Sequence, residues 1–330
     1  MTISVGMELG EHIYSSRGVL LLKKGTVVND HHIQLLSRHE IQKEEAAIRT
    51  EETSLNPKEE QTLLLSCYKN IDKNKALTNA DIKMISETYL QLYKDSSLNI
   101  LDINDQFQNE EYLYSHSLRV ALIASTIGQM MGVNNNDQYL LPLMGLFHDV
   151  GKFLVDPAIL YKPTFLTDAE FAEMKKHSLY GQELLNDTQL PKEVVTGALM
   201  HHERLDGSGY PFGLNSKNIP MLVRILSVAD TFDAICSNRV YKSTQSIFYA
   251  IEELLKEANS NRLDIDIVRP FCFAVMDLLR GRKIELRNGK SANISHIFPA
   301  NPNQPILCVE GYSPINLKSS GLTLFQVAKI

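Results

Sequence analysis

Residues His201–Pro211 read HHERLDGSGYP. These eleven residues hold two adjacent histidines, two acids, an arginine, two glycines and a Tyr-Pro pair. A purely structural segment rarely needs that mixture. DGSGYP on its own would be an ordinary turn. Two neighbouring imidazoles placed directly before it raise the question of a ligand, and the rest of the chain supplies the context.

Five of the ten histidines lie in the middle of the chain, each a polar island on an apolar background. His116 stands in YSHSLRV, His148 and Asp149 in LFHDVGK, and His177 in KKHSLYG, while His201 and His202 open the stretch above. Asp230 stands in ILSVADTFDAI. Any one of them alone reads as a hydrogen-bonded core histidine or a capping aspartate. His148-Asp149 reads differently, because it closes the nearly all-apolar run YLLPLMGLFHDV, where an unpaired polar pair is expensive to bury. Five histidines and two aspartates in one helical region are better explained as metal ligands. Imidazole and carboxylate suit iron, manganese or zinc, and a carboxylate can bridge two ions.

Length and composition set the frame. A chain of 330 residues exceeds what one compact core usually takes, so two or three domains are expected. Apolar residues make up 44% and charged residues 22%, ordinary for a globular protein. A net charge of −6 argues against a general nucleic-acid binder, although a local basic pocket for one small phosphate ligand stays open. The start, MTISVGMELGEHIY, lacks the apolar core of a signal peptide, and no uninterrupted apolar run of about 18 residues occurs. No membrane span and a cytoplasmic location are therefore expected. The cysteines Cys67, Cys236, Cys272 and Cys308 are scattered and form no C-x-x-C pair, so nitrogen and oxygen must hold any metal.

Along the chain, GVLLLKKGTVV has the runs and glycine punctuation of strands, and NDHHIQLLSRHEI that of a short capped helix. A charged tract, QKEEAAIRTEETSLNPKEEQ, leads into helical spacing from about residue 61. YSHSLRVALIASTIGQMMGV is an amphipathic helix ending near Gly132, and helical patterns recur to about Arg280. Beyond it, ANISHIFPANPNQPILCVEG and LTLFQVAKI read as strands. His12, His31, His32, His39 and His296 have no supporting neighbours and read as surface residues.

The ordered set YSHSLRV, HDVGK, KKHSLYG, HHERLDGSGYP, VADTFDA and NRVYK closely resembles the HD-GYP branch of the HD-domain phosphohydrolases, whose members hydrolyse cyclic di-GMP. The resemblance implies a mainly α protein: a small β-rich N-terminal module over 1–55, a connecting helical region over 56–96, an all-helical catalytic domain over 97–282 and a small β tail over 283–330. It also implies two divalent ions, iron or manganese. One would be held by His116, His148, Asp149 and Asp230. The other would be held by Asp149, as the bridge, with His177, His201 and His202. Some members carry a glutamate four residues before the first histidine for a third metal. That position is Tyr112 here, and Glu111 lies about 140° around a helix from His116, so the centre reads as dinuclear.

The implied reaction is attack on phosphorus by a hydroxide bridging the two metals, giving pGpG, with pGpG or GMP as the end product left open. Asp149 and Lys152 would be catalytic. Lys152, Gly209, Tyr210, Arg239 and Lys242 would contact substrate; without the resemblance, Lys152, Arg239 and Lys242 would be solvated charges. Glu203 and Asp206 could orient ligand histidines from behind, although Glu203 could equally face water. The Gly-Tyr-Pro loop could also dock a signalling protein such as a GGDEF-type partner, and the C-terminal strands could pack on the catalytic domain or on a second copy in a homodimer. Two other functions compete: a receptor that binds cyclic di-GMP with negligible hydrolysis, and an HD hydrolase of another cyclic dinucleotide.

Overall fold

The computed structural model describes residues 13–14, 20–22, 28, 66–69, 71, 77–95, 112–236 and 247–328. The chain divides into two compact units, Met1–Asn56 and Pro57–Ile330. In the first, β1 (Ile13–Tyr14) pairs antiparallel with β2 (Leu20–Leu22), and Val28 is buried. The expected helix over NDHHIQLLSRHEI, and His12, His31, His32 and His39, lie outside the described residues.

The second unit is mainly helical. Its helices are α1 (Asn79–Asp95), α2 (Tyr112–Met130), α3 (Asn135–Gln138), α4 (Leu140–Phe147), α5 (Pro157–Leu160), α6 (Asp168–Lys175), α7 (His177–Asn186), α8 (Lys192–Met200), α9 (Met221–Cys236), α10 (Ile247–Asn259) and α11 (Ile265–Asp277). A 3-10 turn, Val150–Leu154, follows α4. Among the described residues, no helix is long and apolar enough to cross a membrane.

The core explains these elements. α4 is apolar almost throughout, and Leu141, Met144, Leu146 and Phe147 are fully buried between α2, α8 and α9. Each such side chain contributes roughly 1.5–3 kcal/mol through burial. That packing forces the residues at the end of α4, His148 and Asp149, into the interior as well. Tyr68 donates from its hydroxyl to the Leu146 carbonyl (2.7 Å) and packs with Tyr114 and Phe153 at centroid distances of 5.4 and 6.3 Å. The turn after α4 is thereby pinned from behind.

That 3-10 turn lies directly on α7. A Cβ on Gly151 would stand 1.9 Å from the His177 carbonyl oxygen and 2.3 Å from the Gly181 nitrogen, so only glycine allows the approach. The contact brings Asp149 and His177 to the same point.

The C-terminal residues form an antiparallel sheet in the order β3 (Lys283–Glu285), β4 (Ser291–Phe298), β5 (Asn301–Val309), β6 (Ile315–Asn316). Ala292, Ile294, Ile297, Leu307 and Val309 face inward, and β4 and β5 pack on α11. LTLFQVAKI departs from the expected strand. Two short helices, α12 (Leu317–Ser320) and α13 (Leu324–Val327), follow β6, and among the described residues after them Ala328 bridges back to Leu286. The reason is local: the Thr323 amide donates to Gln326 Oε1 at 2.9 Å, a side-chain cap that starts a helical turn where hydropathy suggests extension.

Gly151→Ala is expected to cost about 3 kcal/mol by overpacking against backbone. Gly181→Ala, whose Cβ would come no closer than 3.3 Å, to the Ala198 methyl, should cost less. Urea denaturation of both variants reads the difference, and equal midpoints would contradict this packing.

Candidate metal centre

Three histidines are presented by one local device. His148 directly follows α4, His201 directly follows α8, and His177, the first residue of α7, lies two residues beyond the end of α6. Carbonyls in the last turn of a helix lack a full set of intrahelical partners. Each of these rings turns its Nδ1 to the carbonyl three residues back: Gly145 at 2.7 Å, Ala198 at 3.0 Å and Met174 at 2.7 Å. A carbonyl only accepts, so Nδ1 carries the proton and Nε2 presents a bare lone pair.

His116, on α2, is fixed differently. Its Nδ1 lies 2.7 Å from Asp233 Oδ2, and Arg119 donates to the same carboxylate from Nε (2.6 Å) and Nη2 (3.1 Å). Asp230 and Asp233 share a face of α9, three residues apart. The first therefore points into the site while the second holds His116 from behind. Arg204 and Ser227 both donate to the His201 carbonyl, at 3.1 and 2.7 Å, and fix the backbone of the paired histidines.

The Nε2 atoms converge on Asp149. Its Oδ2 lies 3.5 Å from His116 Nε2 and 3.4 Å from His148 Nε2. Its Oδ1 lies 3.5 Å from His177 Nε2 and 3.6 Å from His201 Nε2. The nitrogens of His116 and His148 are 3.3 Å apart, as are those of His177 and His201, and Asp230 Oδ1 is 3.1 Å from His116 Nε2. His202 completes the group on the second side, and its ring stacks on Tyr210 at 4.6 Å.

Bare nitrogens facing one another and a carboxylate repel unless a cation lies between them. Ligand atoms about 2.1 Å from one ion stand roughly 3.0–3.4 Å from each other, close to these spacings. Charge tells the same story. Burial depresses the pKa of His177 to about 3 and lowers those of His201 and His202, so these rings stay neutral at ordinary pH. Burial opposes the charge of Asp149 and Asp230. The Lys152 ammonium nevertheless holds the first well below the usual carboxylate range, and the hydrogen bond from His116 does the same for the second. Asp149 Oδ1 is buried without a hydrogen-bond partner. The donors fall into two groups that could each hold a cation, Asp149, His177, His201 and His202 in one and His116, His148 and Asp230 in the other, with Asp149 close to both.

All seven residues named from the sequence as metal ligands therefore meet here, on α2, α7, α9 and the turns after α4 and α8. Lys152 lies beside them, its Nζ 2.5 Å from Asp149 Oδ2. Tyr210 covers His202, and burial pushes its phenol pKa upward, keeping it a neutral donor. Gly209 makes a close approach, but to its own chain: a Cβ there would stand 2.4 Å from the Arg204 nitrogen. Arg239 and Lys242, like Glu111, lie outside the described residues.

Glu203 and Asp206 do not orient histidines. Glu203 is buried and accepts from the amides of Phe212 (2.7 Å) and Leu214 (2.8 Å), which anchors the far side of the Gly-Tyr-Pro loop. Asp206 accepts from the amide and hydroxyl of Ser208 within the loop. Asp233 and Arg119 are the residues that sequence reasoning missed. Their signal was present: Asp233 follows Asp230, and Arg119 follows His116, each by three residues in an apolar helix.

A family model described as HD domain matches residues 99–267, just over half of the chain. The chain belongs to the HD domain family. A solved structure of Bd1817, an HDG"Y"P protein from Bdellovibrio bacteriovorus, shares the fold of this HD protein. It aligns with TM-score 0.53 and 16% identity over 82% of this chain and 97% of that one.

Curated relatives include the cyclic di-GMP phosphodiesterase PA4108 of Pseudomonas aeruginosa, 36% identical over 55% of this chain and 44% of the relative. The cyclic di-GMP phosphodiesterase of Thermotoga maritima is 35% identical over 52% and 48%. The 3'3'-cGAMP-specific phosphodiesterase 3 of Vibrio cholerae is 34% identical over 50% and 35%. The matched part of this HD protein thus spans less than half the length of each of these relatives.

Asp233→Asn keeps the size of the side chain but removes the charge that holds His116. Affinity for Mn(II), measured by calorimetry, should weaken about 10- to 100-fold. Unchanged affinity would contradict the positioning role.

Proposed function

We propose that this chain is a metal-dependent phosphodiesterase that opens cyclic di-GMP to pGpG and can carry it on to GMP. The observation that carries the reading is the bipartite donor set built on the two oxygens of Asp149. His116, His148, Asp149 and Asp230 would hold one ion, and Asp149, His177, His201 and His202 the other, with iron or manganese suiting the ligands. Such a pair of ions lowers the pKa of a water between them and offsets negative charge on the phosphoryl oxygens.

The chain's own residues do the rest. Helix-end carbonyls and Asp233 keep the imidazoles in the metal-binding tautomer. Burial excludes bulk water from the Asp149 side. Lys152 can donate to a non-bridging phosphate oxygen, and Tyr210 presents a ring and a hydroxyl at the mouth. Arg239 and Lys242 would neutralise the second phosphate. Relatives at 35–36% identity that are named cyclic di-GMP phosphodiesterases support cyclic di-GMP as substrate. A relative named for 3'3'-cGAMP at 34% identity makes that dinucleotide the competing substrate.

The test uses full-length protein purified without oxygen and loaded with Fe(II) or Mn(II). Cyclic di-GMP and 3'3'-cGAMP are followed separately by chromatography. The expected result is pGpG from cyclic di-GMP, abolished by chelator. Tyr210→Ala should keep its metal but turn over roughly 10- to 100-fold more slowly, because it misplaces substrate rather than removing the centre. Metal-loaded protein that binds cyclic di-GMP and leaves it intact would instead establish a receptor. Turnover of 3'3'-cGAMP alone would reassign the substrate.

A further inference from the structure

The two oxygens of Asp149 keep different company. Oδ2 already has a cation, the Lys152 ammonium, at 2.5 Å. Lys152 reaches it from three residues along the 3-10 turn, and 19% of its side chain remains exposed, so it has a path outward. Oδ1 has none: it is buried and lacks any hydrogen-bond partner. The nitrogens nearest to it, His177 Nε2 at 3.5 Å and His201 Nε2 at 3.6 Å, belong to rings whose protons are committed to Met174 and Ala198.

We propose that the two halves of the centre fill in a fixed order, the His177–His201–His202 half first, with Lys152 acting as the resident cation that the second ion must displace from Asp149 Oδ2. This rests on the dinuclear reading of the site. The first ion meets an unpartnered oxygen and bare nitrogens, and nothing has to leave. The second ion, at His116, His148 and Asp230, competes with an ammonium already paired to a buried carboxylate, and breaking that pair opposes binding. Displacement also turns the ammonium toward the exposed side, where an anionic phosphate can take it. Lys152 therefore becomes a phosphate ligand only in a chain whose centre is complete. Full metal loading and productive substrate contact are coupled through one side chain.

The test is a titration of metal-free, full-length protein with Mn(II) under argon. Calorimetry reads the constants, and the electron paramagnetic resonance signal of free Mn(II) counts bound ions. Wild type is expected to bind two ions in steps separated by about tenfold or more. Lys152→Met should leave the tight step unchanged and strengthen the weak one by about tenfold or more. Lys152→Arg, which keeps a cation in place and guards against a merely structural effect, should retain the weak second step. His177→Ala should remove the tight step. Two Mn(II) bound by Lys152→Met with both constants at wild-type values would overturn the proposal, as would loss of the weak step in His177→Ala. Wild type that binds no Mn(II) would sink the dinuclear reading itself, an outcome distinct from either.

Discussion

A ring nitrogen bonded to a carbonyl at the end of a helix is the interaction on which this centre depends. His148, His177 and His201 each turn Nδ1 to the carbonyl three residues back, at 2.7–3.0 Å. That bond satisfies a helix-end acceptor that would otherwise need water, and it fixes the tautomer in the same act. Every Nε2 lone pair then faces inward. An interior built this way has a surplus of acceptors and two carboxylates, which folding alone cannot satisfy. Lys152 offsets part of the charge, and divalent cations are what the remainder fits.

The fold supplies what the bonds require, namely that separate helix ends arrive at one point. α4 is buried on nearly all sides, so the residues that follow it have no route to the surface. Gly151 lets that turn lie against the backbone of α7, and the clamp of Arg204 and Ser227 on the His201 carbonyl sets the end of α8 against α9. The loop carrying Tyr210 is held from beneath by Glu203, a buried acid satisfied by two amides rather than by a counter-ion. Rigid support under the ligands and an anchored loop over them are what the proposed phosphodiester substrate would need to be held in register.

Much of this was legible in the sequence because polar residues on apolar helices are conspicuous. His148-Asp149 at the end of YLLPLMGLF, and Asp230 inside ILSVADTF, violate the helix pattern in a way that only burial with a purpose explains. Asp233 and Arg119 were equally anomalous, yet their partnership spans more than a hundred positions and becomes visible only when α2 and α9 touch. Glu203 was read for the wrong partner, since nothing in HHERLDGSGYP says that its carboxylate turns forward to Phe212 and Leu214 rather than back to the histidines. The final segment forms a helical turn although the alternation in LTLFQV suits a strand, because the Gln326 side chain caps the Thr323 amide.

The proposed reaction requires two divalent ions that share the Asp149 carboxylate. Crystals of the metal-loaded chain, with anomalous diffraction collected above and below the absorption edge of the added metal, test it most directly. Two anomalous peaks are predicted, one beside Asp149 Oδ2 among His116, His148 and Asp230, the other beside Oδ1 among His177, His201 and His202. A fully loaded crystal with no peak at Asp149, or with ions held only by other residues, would contradict it.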